Sequence, residues 1–181
     1  MAGGGADEVV RQSLAHADAL YNFARWLARD PVEAEDLVQE TYMRELGAAH
    51  QFDPGSNLKA WLFRILRNAF IDRRRRSQRE GSPPSVEDLD ADGERAEPAM
   101  GELQLDQIRA LVAEDVSAAV HALPESFRTV ILLDLEGMTE AEVANVLGCA
   151  TGTVKSRLSR ARAVLRDRLA AYRQYAEEGS R

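Results

Sequence analysis

The segment between Thr139 and Arg162 constrains the fold of this chain more than any other part of its sequence. Thr139, followed by Glu142 three residues later, has the pattern of a capping box at the start of a helix. Gly148 ends that short helix, and a longer helical pattern begins at about Thr151. Two helices joined by a tight, glycine-containing turn predict a helix-turn-helix.

The second helix of this pair has the composition of a helix that lies in the major groove of DNA. Its apolar stripe consists of Val154, Leu158 and Leu165. Small residues at its start let backbone amides approach phosphates, and the cations that follow bind guanine edges or phosphates. Sequence alone does not separate these two roles, and the alternative is an arginine-rich solvated helix of an ordinary bundle. The residues expected to contact DNA are Thr151, Gly152, Thr153, Lys155, Ser156, Arg157, Ser159, Arg160 and Arg162.

A second segment, residues 52–76, interleaves aromatic and cationic side chains. Trp61, Phe63 and Phe70 alternate with lysine and arginine, and four consecutive arginines follow. This pattern suits single-stranded DNA, because bases stack on rings while cations hold the backbone. The loop of residues 53–57 is expected to form a pocket for an unstacked base. Trp61 and Phe70 also lie at core spacing, so packing is the favoured alternative for these two rings.

The charged residues are strongly segregated along the chain. Residues 59–79 carry eight basic and one acidic side chain, and residues 155–173 carry seven basic and one acidic. Between them, residues 80–106 carry nine acidic and one basic side chain. The net charge of −7 therefore does not exclude nucleic acid as a partner, because the cations are concentrated on the two helices described above.

These patterns predict an all-α chain of two small helical domains joined by an acidic flexible linker, with the helix-turn-helix in the C-terminal domain. Hydrophobic residues make up 45% of the 181 residues, which is enough for two cores. The expected boundaries are a disordered N-terminus over residues 1–9, a first domain over 10–79, the linker over 80–102 and the second domain over 103–175.

The first domain is expected to contain three main helices. One covers residues 10–28. The next begins after its N-cap Asp30, carries Leu46 on its inner face and ends at Gly47. The third covers residues 58–76.

Several classes of protein are not supported by the sequence. The single cysteine, Cys149, leaves no internal disulfide, and the three histidines lack metal-ligand spacing. The sequence has no apolar stretch that could span a bilayer, no signal peptide and no GxxxxGK[ST] motif. We therefore expect a cytoplasmic protein that is not an enzyme and has no catalytic residues, metal or cofactor. Cys149 is interpreted as a small apolar turn residue rather than a redox sensor.

Two stretches of the sequence resemble the domains of one protein family. DLVQETYMRELGAAHQFDPGSNLKAWLFRILRNAFIDRRRR is similar to the region-two domain of extracytoplasmic-function (ECF) sigma factors of bacterial RNA polymerase. LPESFRTVILLDLEGMTEAEVANVLGCATGTVKSRLSRARAVLRDRL is similar to their region-four domain. The resemblance covers about residues 10–173. It implies an initiation factor that binds core polymerase, recognises the minus-35 and minus-10 promoter elements and promotes promoter opening.

The resemblance assigns roles to matching residues. The face that docks on the clamp helices of the largest polymerase subunit matches Asp36, Gln39, Glu40 and Met43. From periodicity alone, an ordinary solvated face is the favoured interpretation of this set. The minus-10 loop and helix match Phe52, Asp53, Ser56, Asn57, Lys59, Trp61, Arg64, Asn68 and Arg73. The minus-35 helix matches the DNA-contacting set that begins at Thr151.

Further partners are implied by the same resemblance. They are the flap region of the polymerase for the second domain, the RNA exit channel for the acidic linker, and an anti-sigma factor that covers the polymerase-binding surface. The stretch NLKAWLFRILRNAFID is similar to that of members whose inhibitor is a small zinc-binding protein.

Two other functions fit parts of the sequence. A stand-alone helix-turn-helix regulator would bind duplex DNA without polymerase, but it leaves residues 52–76 without a role. A nucleic-acid hydrolase would need paired carboxylates on helices, whereas the acids cluster in the predicted linker.

Overall fold

In a computed structural model of the protein, the described residues are 3–79 and 105–170, with side chains described at 8–79 and 112–170. The regular structure within these residues is helical, which confirms the predicted all-α class. The helices are α1 Gly3–Ser13, α2 Ala17–Ala28, α3 Pro31–Ala48, α4 Leu58–Arg79, α5 Leu105–His121, α6 Glu125–Leu135, α7 Glu140–Leu147 and α8 Thr151–Arg168. Short 3-10 turns follow α1 and α3, at Leu14–His16 and Ala49–Gln51. The predicted linker, residues 80–102, lies outside the described residues.

Helices α2, α3 and α4 pack around a shared core. Phe23 of α2 and Phe63 of α4 lie with ring centroids 5.0 Å apart, and Leu37 of α3 is fully buried. The predicted start of α3 is confirmed, because the Asp30 carboxylate accepts a hydrogen bond from the Glu33 amide at 2.8 Å. This cap sets where α3 begins.

The N-terminal segment differs from the prediction. α1 begins at Gly3, so the disorder expected over residues 1–9 is wrong from Gly3 onwards. The single helix expected over residues 10–28 is divided after Ser13 by a 3-10 turn. The Ser13 side chain is buried, and its hydroxyl donates to Glu45 of α3 at 2.9 Å. This long-range hydrogen bond docks the end of α1 on α3, an interaction that local sequence patterns do not reveal.

The inner face of α3 differs from the prediction at its C-terminal end. Leu46, expected to face the core, is 56% exposed, whereas Glu45 is 1% exposed. Leu46 lies one residue, about 100°, beyond the buried stripe, and Gly47 continues the helix instead of ending it. The buried stripe follows steps of three and four residues through Ala34, Leu37, Thr41 and Glu45.

The buried carboxyl of Glu45 makes stability depend on pH. Burial raises the pKa of Glu45 above its ordinary value of 4.5, against the opposing effect of the Ser13 hydrogen bond. The folded state therefore binds more protons than the unfolded state between 4.5 and the raised pKa. Stability should consequently rise as the pH falls through that raised pKa towards 4.5.

Glu45→Gln tests this cost of burying a charge. The amide keeps an oxygen that accepts from Ser13 and carries no charge, but its NH2 group takes the place of the buried Oε1, which has no hydrogen-bond partner. These two effects oppose each other, so the free energy of unfolding at pH 8 should change by less than about 1 kcal/mol. The dependence on pH should also flatten, as measured by urea unfolding at about pH 5 and pH 8. Glu35→Gln, at an exposed position of the same helix, should change neither quantity. An unchanged pH dependence in Glu45→Gln would contradict the assignment.

Helices α6, α7 and α8 pack together, and α7 and α8 form the predicted helix-turn-helix. The capping box is present: the Glu142 amide donates to the Thr139 hydroxyl at 3.3 Å, and the Thr139 amide donates to the Glu142 carboxylate at 2.7 Å. Gly148 ends α7 with a φ of 64°. α8 buries Val154 and Leu158, as its apolar stripe predicts.

Gly148 and Gly47 form a matched pair for testing the turn. Gly148 has a positive φ, whereas Gly47 lies inside α3, where an added Cβ would meet no described atom within 4 Å. Gly148→Ala should therefore lower the free energy of unfolding by about 1 kcal/mol, and Gly47→Ala should raise it by about 0.5–1 kcal/mol. Thermal unfolding followed by circular dichroism measures both changes. A stabilising Gly148→Ala would show that the turn does not need a left-handed residue.

Candidate nucleic-acid interface

The outer face of α8 is open to solvent along most of its length. Within the set predicted to contact DNA, Thr153 and Arg157 are half-buried and the remaining residues are exposed. A Cβ added at Gly152 would meet no described atom within 4 Å, so a ligand has access to the backbone there. The N-cap residue Ala150 makes no side-chain cap, which leaves amides in the first turn available to an anion.

Two cations of this face are held by acids of the same domain. Lys155 lies 3.5 Å from Glu140 of α7, and Arg162 lies 2.7 Å from Asp134 of α6. Ion pairs as exposed as these contribute little to stability, so each can give way to a phosphate. They also orient the two side chains on either side of the exposed Arg160.

The loop before α4 is held by its own polar groups. The Gly55 amide donates to the Asp53 carboxylate at 3.0 Å. The Ser56 amide and hydroxyl donate to the Asp53 carbonyl oxygen, at 2.9 and 2.7 Å. The Asn57 side chain then caps α4 by accepting from the Ala60 amide at 3.2 Å. The predicted turn is therefore present, and Asp53 and Ser56 define its shape.

The aromatic side chains of residues 52–76 fall into two groups. Phe63 is fully buried and Phe70 is 4% exposed, so both rings are packing residues. Phe52 and Trp61 are half-buried, with ring centroids 5.2 Å apart, and Trp61 also packs partly against the core. This second pair places two half-buried rings beside the loop.

The polar side chains of α4 point in two directions. Arg64 and Asn68 are exposed on its outer face. Arg73 turns towards α3 instead, and its Nε donates to the Glu40 carboxylate at 2.7 Å. Arg73 and Glu40 are predicted to bind DNA and polymerase respectively, so the structure pairs two side chains to which sequence assigned separate partners. Their predicted roles require this pair to open.

Glu40 lies at the centre of a small ion-pair cluster. Arg44 bonds to Glu40 at 2.6 Å and to Asp72 of α4 at 3.0 Å. Burial acts to raise the pKa of the Glu40 carboxyl, but the hydrogen bonds from Arg73 and Arg44 outweigh it and lower that pKa. The cluster therefore holds a charged Glu40 between α3 and α4.

The outer face of α3 combines polar and exposed apolar side chains. Asp36 and Gln39 are exposed, and Met43 is 70% exposed. Val32 and Leu46, 66% and 56% exposed, extend the same face. The predicted site did not include these two residues, although their spacing from Met43 fits one helix face. Exposed apolar residues rimmed by polar groups are typical of a protein-binding surface.

The helix-turn-helix domain packs directly on the outer face of α4. Charged and polar side chains from α4 or the residue before it meet acids and an amide of the C-terminal domain. These contacts are Lys59–Glu136 at 2.6 Å, Asn57–Glu142 at 2.6 Å, Arg64–Asn145 at 3.2 Å and Arg74–Glu125 at 2.6 Å. On another side, Trp26 of α2 stacks on His121 of α5 with ring centroids 4.2 Å apart. The charge segregation of the sequence did not indicate this packing, because Glu125, Glu136 and Glu142 lie outside the three segments that show it.

Two titratable groups at this junction have shifted pKa values. Hydrogen bonds from the Thr139 backbone and the Asn57 side chain lower the pKa of the Glu142 carboxyl. Burial, with the positive charges of Arg128 and Arg29, lowers the pKa of His121. The packed arrangement therefore favours a charged Glu142 and a neutral His121.

The described residues contain no group of three or more His, Cys, Asp or Glu side chains that could hold a metal ion. In the same residues, no helix is both long enough and apolar enough to cross a membrane.

The amino-acid sequence matches two known families. Residues 14–80 match Sigma-70 region 2, and residues 113–165 match Sigma-70, region 4. The chain is 42% identical over 153 residues to the ECF RNA polymerase sigma factor EcfG of Rhodopseudomonas palustris, covering 84% of this chain and 80% of that protein. It is 37% identical over 170 residues to the ECF RNA polymerase sigma factor SigE of Mycolicibacterium smegmatis, covering 92% of this chain but only 62% of that protein.

Two solved structures have a similar fold. One is the sigma factor RpoE in complex with the anti-sigma factor NepR from Bartonella quintana, with 36% identity, a TM-score of 0.66, and coverage of 88% of this chain and 95% of that chain. The other is CnrH in complex with the cytosolic domain of CnrY, with 29% identity, a TM-score of 0.60, and coverage of 94% and 92%. Both similarities extend over most of this chain.

Proposed function

This chain belongs to the extracytoplasmic-function sigma factors of bacterial RNA polymerase, and from that premise we propose that three of its helices divide the work of promoter recognition. α3 binds core polymerase through the face that includes Asp36, Gln39 and Met43, with Glu40 joining once its pair with Arg73 opens. α4 and the loop before it hold one strand of the minus-10 element. α8 lies in the major groove of the minus-35 duplex.

The open outer face of α8 carries this proposal. Its exposed Lys155 and Arg160 follow a first turn where Gly152 leaves the backbone accessible. A helix of this kind, presented by a capped helix-turn-helix, fits the major groove.

Promoter opening would draw on binding energy alone. Melting costs about 1.4 kcal/mol per base-pair step, and stacking a base on an aromatic ring returns roughly 1–3 kcal/mol. Phe52 and Trp61 offer such a surface beside the loop. Because the two DNA-binding domains are tethered, binding of one also raises the effective concentration of the other.

We propose domain boundaries at residues 10–79 and 103–175, with residues 80–102 as the linker. In this scheme the linker runs towards the RNA exit channel and the second domain meets the flap region. The clamp helices of the largest subunit take the α3 face. A factor that works with polymerase acts in the cytoplasm.

An anti-sigma factor is a further proposed partner. The similar structures of RpoE and CnrH contain NepR and the cytosolic domain of CnrY. The exposed apolar residues Val32, Met43 and Leu46 offer such an inhibitor the same surface as polymerase. The resemblance of residues 57–72 to members with small zinc-binding inhibitors supports a partner of that type. To test whether the inhibitor binds zinc, the inhibitor would be purified in complex with this chain and the zinc that accompanies it measured.

Run-off transcription from a promoter library, with purified protein and sigma-free core polymerase, tests the function. Specific transcripts should arise only when both components are present, and the enriched sequences then define the promoter elements. A protein that shifts duplex DNA but neither binds core polymerase nor initiates with it would instead be a stand-alone regulator.

A further inference from the structure

The docking of α1 on the end of α3 has no role in the function proposed above. Its polar contact joins Ser13 and Glu45, which are 0% and 1% exposed, with the Ser13 hydroxyl 2.9 Å from the Glu45 carboxylate. We infer that this buried pair positions the loop before α4, residues 53–57, to receive an unstacked base of the minus-10 strand. The inference rests on the proposed function. Because neither side chain is exposed, Ser13 and Glu45 are positioning residues and do not touch DNA.

The contacts of Ser13 hold the last turn of α1 against α3. Its hydroxyl lies 2.7 Å from the Val10 carbonyl oxygen and 2.9 Å from the Glu45 carboxylate, so its one hydrogen is shared between two acceptors. Its backbone carbonyl oxygen accepts from the Tyr42 hydroxyl at 3.3 Å. Tyr42 and Glu45 are neighbours on one side of α3, three residues apart. The end of α1 is therefore held at two points.

A polar pair at this position fixes geometry more than it adds stability. The Oε1 atom of Glu45 is buried and has no hydrogen-bond partner among the described residues, which costs free energy. An apolar pair would avoid this cost, but apolar contacts are compatible with several registers of one helix on another. A hydroxyl–carboxylate contact is made in one register only. The Ser13–Glu45 pair therefore sets where the end of α1 lies.

The last turn of α3 leads directly into the loop. Glu45 is one turn before Ala49, which is 6% exposed and begins the 3-10 turn Ala49–Gln51. α1 packs against this turn and against α4. The Phe52 amide donates to the Ala49 carbonyl oxygen at 3.2 Å, and the loop follows at once. A shift of α1 on α3 therefore moves the start of the loop and the Phe52 side chain.

The turn after α1 also approaches the other end of the loop. Burial, together with the positive charge of Lys59, lowers the pKa of His16 in the 3-10 turn that follows Ser13. Lys59 is the second residue of α4, the helix that begins directly after the loop. α1 and its turn therefore lie near both ends of the loop, where a change in their position acts on its shape.

Glu45→Leu and Glu45→Gln form a matched pair for testing this role. Leucine is similar in size and removes the buried charge, and the Ser13 hydroxyl keeps its Val10 acceptor, so the free energy of unfolding should not fall. Glutamine keeps an oxygen that accepts from Ser13. A residue that only filled space would tolerate both changes, whereas the positioning role tolerates glutamine alone. Ser13→Ala, which removes the donor, is a second variant and should behave like Glu45→Leu.

Hydrogen exchange followed by NMR tests the loop without polymerase. In Glu45→Leu the Phe52 and Ser56 amides, which donate within this segment, should exchange about 10-fold faster than in the native chain. In Glu45→Gln they should exchange at close to native rates. The Val143 amide, hydrogen-bonded to Thr139 in the helix-turn-helix, is the internal control and should be unchanged in both variants.

Strand binding by holoenzyme tests the consequence for promoter recognition. The probe is a short fluorescein-labelled single strand that carries the minus-10 sequence enriched from the promoter library, with anisotropy as the measurement. Holoenzyme with Glu45→Leu should bind it about 5- to 10-fold more weakly than native holoenzyme, and holoenzyme with Glu45→Gln within about twofold. Affinity for core polymerase and for the minus-35 duplex should stay within about twofold of native in both variants.

The outcomes separate this inference from the proposed function. Native exchange rates or native strand affinity in both Glu45→Leu and Ser13→Ala would overturn the positioning role. Equal losses of strand, duplex and polymerase affinity would also overturn it, because they would show that the pair only supports folding. If native holoenzyme does not prefer the enriched strand to a scrambled one, the proposed minus-10 function fails. The inference then fails with it, even where the exchange rates change as expected.

Discussion

Met43→Glu is expected to weaken binding of the protein to core RNA polymerase by about 100-fold or more and to abolish specific run-off transcription. Met43 is 70% exposed in the middle of the α3 face, between Val32 and Leu46. Docking would bury this side chain, and a carboxylate at its position would lose its water without a partner. Biolayer interferometry with immobilised core polymerase measures the change.

The control for this substitution is Val116→Glu. Val116 is also an exposed apolar residue, at 40%, but it lies on α5 in the C-terminal part of the chain. It should leave polymerase affinity within about twofold of the native value. Both variants should keep the native circular dichroism spectrum and duplex affinity, since neither residue is buried. Native affinity for polymerase in Met43→Glu would remove α3 from the proposed interface.

The parts of the fold that could be predicted from sequence are those encoded over a few residues. The Asp30 cap and the Thr139–Glu142 box each join residues three positions apart. Gly148 marks a turn by its own conformational freedom. Such signals are read directly from the chain, which is why the helix-turn-helix was correctly located.

The errors lie where distant segments meet. Ser13 and Glu45 are 32 residues apart, and their hydrogen bond accompanies both the break after α1 and the burial of a carboxylate. A periodic pattern gave no reason to prefer Glu45 to Leu46 inside, because hydrophobicity favours the leucine. The packing of α1 against α3 brings the Ser13 hydroxyl to the Glu45 carboxylate. This hydrogen bond helps to stabilise a polar side chain inside the core.

In the candidate site too, features encoded over a few residues could be predicted, and contacts between distant segments could not. Composition identified the cationic helices, and the exposed positions of α8 follow from its buried stripe. Which donors are already engaged could not be predicted, because Arg73 and Glu40 are 33 residues apart, and Asn57 and Glu142 are 85 apart. Core spacing did correctly favour packing for Phe70, which is buried.

Lys155→Ala combined with Arg160→Ala is expected to weaken binding to the promoter duplex by about 30-fold or more, because each contact of this kind contributes at least about 1 kcal/mol. Both side chains are exposed on the outer face of α8. Transcription from promoters that depend on the minus-35 element should fall in parallel. Fluorescence anisotropy with duplexes enriched from the promoter library measures the affinity at several salt concentrations.

The salt dependence distinguishes the two roles that arginine and lysine can have on α8. Each lost phosphate contact should make the slope of log affinity against log salt shallower by about 0.9, with all sequences weakened alike. A lost guanine contact should leave the slope unchanged and weaken only the selected sequence. The control is Arg168→Ala. Arg168 lies seven residues, about two turns, after the buried Ala161, so it is on the same side of α8 as that residue and away from the outer face. This control should change neither the slope nor the affinity for the selected sequence. If the double variant keeps the native duplex affinity, Lys155 and Arg160 do not bind the minus-35 element, and another surface must read it.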